Sequence, residues 1–239
     1  MFHFLLPALL SYNVVLILAA VIPAVFLMIK VYRSDRLERE SHGMLLRLVV
    51  GGVLSALIAL VSEWVLSGLL QLLVPSTSAL FDVLLYFVVV AFSEEGAKYF
   101  MLHRRSWSSP EFNCQYDGVV YAVFVSLGFA LWENISYVMH YGFQTALVRA
   151  VTAIPGHACF GVFMGVFYGF AKKFERSGRP QESRTCRILA VLFPALLHGL
   201  YDYIASTQLQ AGSFVIFIAI LFIVSYILVG KLSKNDRYI

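Results

Sequence analysis

The sequence predicts an all-α fold: a polytopic bundle of about seven transmembrane helices, read as a single integral membrane domain over residues 1–239. Three observations carry this expectation. Hydrophobic residues make up 60% of the chain and charged residues only 13%, about half the roughly 25% of an ordinary soluble domain. Mean hydropathy is +0.79. Several apolar runs approach the ~20 residues needed to cross a bilayer. Soluble enzymes, nucleic-acid-binding modules and secreted disulfide scaffolds are thereby excluded. The formal charge of +4 resides in short basic patches between apolar runs, so it speaks for membrane orientation and against a nucleic-acid partner.

Run length places the spans at residues 12–31, 48–74, 79–102, 118–139, 146–171, 188–205 and 213–230. The first lacks the basic leader and small-residue cleavage site of a secretory signal, and a basic stretch follows it, so it reads as a retained helix. The fifth contains Pro155-Gly156, which predicts a kink or a break inside the membrane. All of the 18 Lys and Arg residues except Lys98 and Arg149 flank the first, third or fifth connection or the last helix. Because such residues collect on the cytoplasmic side, the expected orientation in the cell membrane is N-terminus outside and C-terminus inside. Cys114, Cys159 and Cys186 fall in two connections and one span without metal-type spacing and read as reduced thiols of minor importance. No internal repeat or low-complexity tract is present.

Acids in the spans carry the functional signal. Of the 14 carboxylates, Glu63, Asp82, Glu94, Glu95, Glu133 and Asp202 fall within spans, where only Lys98 and Arg149 offset them. Each acid at the bilayer centre costs at least ~2.5 to 3.5 kcal/mol, so each must be protonated, paired, hydrated or bound to a cation. A polar site inside the bundle follows.

Four clusters make up that site. In Ser93-Glu94-Glu95-Gly96-Ala97-Lys98, Glu94 and Lys98 share a helix face at i, i+4 while Glu95 points about 100° away. Without that partner Glu95 has reason to stay neutral, and two adjacent acids in different protonation states suit proton transfer to and from water; the plainer alternative is a helix-anchoring ion pair. Glu133-Asn134 lies among aromatic residues, with Tyr137 one turn on, and either reacts or hydrogen-bonds a neighbouring helix. His157 follows the expected helix break, and a lone buried imidazole is often structural. His198 and Asp202 are again i, i+4, so the acid orients the ring or shares a ligand with it. Four successive spans thus contribute one cluster each, and the remaining spans are nearly pure hydrocarbon apart from Glu63.

Glu94-Glu95-x-x-Lys98, Phe129-x-x-x-Glu133-Asn134, His157-x-x-x-Gly161 and His198-x-x-x-Asp202, in this order, resemble the PrsW family of intramembrane proteases. More distantly they are similar to the CAAX prenyl endopeptidases, the bacteriocin-immunity-type membrane proteases and the Aph subunit of gamma-secretase. The resemblance covers a protease-like core of about residues 80–205. It implies hydrolysis of a peptide bond in or near the membrane, with Glu94, Glu95, Lys98, Glu133, Asn134, His157, His198 and Asp202 as candidate functional residues. The substrate it implies is a single-span membrane protein of the anti-sigma-factor kind.

Amide hydrolysis needs an activated water, donors for the oxyanion and an acid for the leaving amine. Gly-x-Ser-x-Gly, His-Glu-x-x-His and Gly-x-Gly-Asp are all absent, which leaves carboxylate and imidazole chemistry. In a metal-free version, Glu94 or Glu95 deprotonates water with help from His157, and His198 or Asn134 stabilises the oxyanion. In a zinc version, His157, His198 and Glu133 or Asp202 are the ligands. One difficulty is depth: on straight helices, Glu94 and Glu133 come out about 14 Å apart along the membrane normal. Two readings compete with the protease, a non-catalytic scaffold of the Aph kind and a proton-coupled transporter.

Overall fold

The structure is a computed structural model that describes residues 2–206 and 211–239, with side chains for 13–206 and 212–239. Its helices are α1 (Phe2–Ser34), α2 (His42–Leu73), α3 (Ala79–Leu84), α4 (Phe92–Ser106), α5 (Asp117–Tyr141), α6 (Phe143–Val151), α7 (Ala153–Arg176), α8 (Pro180–Ser206) and α9 (Ala211–Lys234). A π-helical turn, Leu85–Ala91, joins α3 to α4. Among the described residues there is no strand, only a single antiparallel bridge between Cys114 and Tyr238.

Six helical stretches are long and apolar enough to cross a membrane: Asn13–Ser34, His42–Leu73, Asp117–Tyr141, Phe143–Arg176, Pro180–Ser206 and Gly212–Lys234. The predicted third span corresponds to α3, the π turn and α4 in succession. The first predicted span begins at Tyr12, whose side chain lies outside the described residues. The expected break in the fifth falls at Thr152, with φ −121° and ψ −74°, so Pro155 sits in the first turn of α7, where its missing N–H forfeits no helical bond. The sixth begins at Pro180 instead of residue 188. Its opening turns carry Glu182, Arg184 and Arg187 and so escape an apolar-run criterion. Cys186 consequently lies within α8 and not in a connection.

Helix α5 is the axis of the bundle, with every residue from Asp117 to Ala130 buried. Glycines let its neighbours approach closely, the usual device where lipid offers no hydrophobic drive between helices. A Cβ on Gly52 of α2 would stand 2.1 Å from the Val125 carbonyl oxygen, and one on Gly128 of α5 2.4 Å from that of Val49. Gly118 meets Gly165 and Gly169 of α7 in the same way. Gly52→Ala is therefore expected to destabilise the bundle by about 2 kcal/mol through overpacking. Gly68→Ala, on the same helix with nothing within 4 Å, should stabilise it by roughly 0.5 to 1 kcal/mol. Paired thermal melts in detergent check the contrast; equal melting temperatures would contradict the packing.

At one end of the bundle the α1–α2 and α4–α5 connections, the end of α7 and the C-terminal tail are knitted together. Glu111 accepts the Ser41 N–H at 3.0 Å, Asp236 accepts the Tyr116 N–H at 2.8 Å, and Ile239 donates its N–H to the Asn113 carbonyl at 2.7 Å. Arg176 bonds the Phe112 carbonyl at 2.9 Å and also the Ile239 carbonyl. This is the end that gathers the basic connections. Burial there raises the carboxyl of Asp35 to about 6, helped by the charge of Asp236, and burial raises that of Glu40 to about 7. On the other side, Leu16 and Ala20 of α1 pack with Val138 of α5 and Ala146 of α6 in a small separate core.

Candidate active site

Lys98 sits at the centre of the polar cluster, its side chain entirely buried. Its Nζ donates to Glu94 Oε2 at 3.1 Å, to Glu95 Oε1 at 2.7 Å and to His157 Nδ1 at 3.1 Å, and lies 3.9 Å from the centre of the Phe129 ring. All three ammonium protons are thus used. The sequence expectation that Glu95 lacks this partner is corrected: i, i+3 residues on a helix are neighbours as much as i, i+4 residues are, and the long lysine stem serves both acids. Glu95 is fully buried, and its Oε2 has no hydrogen-bond partner.

Both imidazoles turn Nδ1 inward and Nε2 outward. An ammonium offers no lone pair, so His157 Nδ1 accepts from Lys98 and the ring proton lies on Nε2, which donates to Glu133 Oε2 at 2.8 Å. His198 Nδ1 lies 3.0 Å from Glu95 Oε1 and 3.8 Å from Glu94 Oε2, and its Nε2 faces Asp202 Oδ2 at 3.4 Å. The two rings are 5.3 Å apart, nearly perpendicular, and Phe160 stacks on His198 at 4.7 Å. Two glycines set these positions. Gly161, one turn beyond His157, faces Ser126 and Val123 of α5, and Gly199, next to His198, lies against Phe87 of the π turn; at each a Cβ would come within 3.0 Å.

The structure resolves the depth difficulty. Helix α4 runs on to Ser106, which puts Glu94 near the middle of 79–106, and the side chains of Lys98 and His157 bridge what remains between Glu94 and Glu133. Arg149, to which the sequence assigned no single partner, pairs with Glu133 Oε2 at 2.8 Å. Asn134 is not in the cluster. It donates to the Ala20 carbonyl of α1 at 3.1 Å and accepts from Arg149 Nε at 2.9 Å, so both ends of its amide are committed to α1 and Arg149.

A cavity of about 430 Å³ opens beside the cluster. Glu94, Glu133, His198 and Asp202 line it together with Glu63 of α2 and Tyr86. Glu63 was visible in the sequence as an acid inside a span, but no motif tied it to the others. Phe129 and Phe160, which wall the cluster, carried no polar signal at all.

The donor set suits a metal. Ligand atoms from Glu94, Glu95, His157 and His198 all lie within 4.8 Å of one another, and mixed imidazole and carboxylate donors fit a divalent transition ion. The unpartnered Glu95 Oε2 supplies an uncommitted buried donor. The carboxylates of the cluster outnumber Lys98 and Arg149, so a dication would also offset surplus charge. These four atoms differ from the set expected from sequence: Glu133 and Asp202 stand behind the imidazoles, on the outer nitrogens.

A PrsW family intramembrane metalloprotease model matches residues 40–229. The Protease PrsW of Geobacillus kaustophilus is 34% identical over 82% of this chain and 82% of its own length. That of Shouchella clausii is 32% identical over 93% and 98%, and that of Clostridioides difficile 31% over 93% and 91%. No solved structure matches the chain. A multi-pass helical bundle enclosing acids and imidazoles, matched over this length, belongs to the PrsW family of intramembrane metalloproteases.

Proposed function

We propose that the cluster hydrolyses a peptide bond in or near the transmembrane region of a single-span anti-sigma factor, with zinc held by His157, His198 and Glu95 and with Glu94 as general base. The observation that carries this reading is the convergence of Glu94, Glu95, His157 and His198 within 4.8 Å beside the cavity of about 430 Å³. Zinc in such a site lowers the pKa of a bound water toward ~7 and polarises a carbonyl. The chain's own residues do the rest.

Glu94 faces the cavity. It takes a proton from the attacking water and passes it to the amide nitrogen as the C–N bond breaks. Glu133 and Asp202 fix the two rings through their outer nitrogens, the arrangement that orients and strengthens imidazole ligands, so they are positioning residues. Arg149 secures Glu133, and Asn134 secures Arg149. With His157 Nδ1 given to the metal, Lys98 would release that nitrogen and keep its bonds to Glu94 and Glu95, holding the two acids together and limiting their repulsion. Phe129 and Phe160 exclude stray water and strengthen the local electrostatics. The orientation that goes with this reading places the basic end and the C-terminus in the cytoplasm.

Elemental analysis tests the metal. The purified full-length protein should carry zinc in stoichiometric amount, and His157→Ala and His198→Ala should each lose it together with cleavage of a co-expressed single-span anti-sigma factor. Wild-type zinc content in both variants would defeat the assignment. A scaffold role predicts instead that cleavage never depends on either imidazole.

A further inference from the structure

Outside the membrane-embedded cluster, the basic end of the bundle buries a second set of acids. Asp35 follows α1, Glu40 precedes α2 and Asp117 opens α5; all three are buried, and one carboxylate oxygen from each lies within 4.8 Å of the others. We infer that Asp35, Glu40 and Asp117 bind an oxygen-preferring divalent cation of the calcium, magnesium or manganese class.

An acidic cluster alone would not suffice, but Asp35 supplies an independent sign. Its side chain, 4% exposed, points into the group, and neither oxygen makes a hydrogen bond of normal geometry, the N–H groups of Leu37 and Glu38 lying near it and easing its charge. Asp117 Oδ2 accepts the N–H groups of Asn113 and Cys114 at 3.0 and 2.7 Å, leaving buried Oδ1 without a partner. Glu40 uses Oε2 to accept the Tyr121 hydroxyl at 2.7 Å. Among the described residues no Lys or Arg lies within ion-pair distance of any of the three; Arg39, next to Glu40, lies over the Tyr32 ring and eases the Asp35 charge only from further off. Buried carboxylates hold a proton, pair with a cation or coordinate a metal; no protein cation pairs with these three, and the raised carboxyls of Asp35 and Glu40 are what a dication would displace protons from.

The donors select the ion. Carboxylate oxygens suit hard dications. Cys114 Sγ and Asp236 share Asp117 in an overlapping group, which could add Asp236 as a further oxygen donor; a single sulfur among so many oxygens does not make a zinc site. A cation here would fasten the α1–α2 connection to the start of α5, tying α1 into the bundle through residues remote from catalysis.

The test uses full-length protein in detergent, stripped with EDTA at neutral pH and titrated separately with Ca²⁺, Mg²⁺, Mn²⁺ and Zn²⁺. At saturation one of the three hard cations should raise the apparent melting temperature by about 5 °C. Asp35→Asn should abolish this gain, yet in EDTA should melt no lower than wild type, because it removes a repelling charge. A His157→Ala/His198→Ala double variant, lacking the membrane imidazoles, should keep the gain. The inference is overturned by no shift with any hard cation, by an equal shift in Asp35→Asn, or by a zinc-only response that disappears in Cys114→Ser.

Discussion

Glu94→Gln should reduce cleavage of a co-expressed single-span substrate by about 10²- to 10⁴-fold, the range associated with removing a general base, while the protein accumulates in the membrane at wild-type levels. The amide has nearly the shape of the carboxylate, and its oxygen can still accept from Lys98, so the ties that organise α4 survive. What disappears is a base on the cavity wall. Glu95→Gln makes the comparison informative. Glu95 is fully buried and faces both Lys98 at 2.7 Å and His198 at 3.0 Å, so its replacement should lower stability as well as activity. Cleavage by Glu94→Gln at the wild-type rate, measured from the product band in a time course, would remove Glu94 from the chemistry.

The largest effect on stability should come from Lys98. Lys98→Met has similar bulk, but it leaves Glu94, Glu95 and His157 without their shared donor at the buried inner side of the site. Removing one partner of a buried ion pair typically costs about 3 to 5 kcal/mol, and here two acids lose the same partner. Chemical unfolding in detergent should show a loss of this size. The triple variant Lys98→Met/Glu94→Gln/Glu95→Gln, which removes the charges together, should recover most of it, since apolar or neutral replacement of a whole buried ion network is often close to neutral. A Lys98→Met protein as stable as wild type, or a triple variant no better than the single one, would mean that the lysine is not what holds the acids.

Much of the bundle was legible in the sequence because bilayer thickness forces apolar runs of a set length. The i, i+4 pairs were legible too, since Glu94 with Lys98 and His198 with Asp202 depend only on helical spacing. Contacts between helices were not. Nothing in the sequence joins Arg149 to Glu133, or brings Glu63 to the same cavity as Asp202, because such pairings are decided by which faces the glycines allow to meet. The π turn at Leu85–Ala91 contains neither proline nor glycine and so announces itself by no residue type. Asp35, Glu40 and Asp117 escaped notice for a different reason. Acids outside apolar runs look solvated in one dimension, and only the folding of the α1–α2 connection over the start of α5 buries them.

The hydrogen bond from Asn134 to the Ala20 carbonyl reaches beyond the family match, which begins at residue 40. A relay runs from the first helix through Asn134, Arg149 and Glu133 to the ring of His157. The most anonymous helix, lacking any signature of its own, is therefore a buttress for the imidazole. A minimal enzyme trimmed to the recognisable motifs would keep every reacting group and lose the brace that aims one of them.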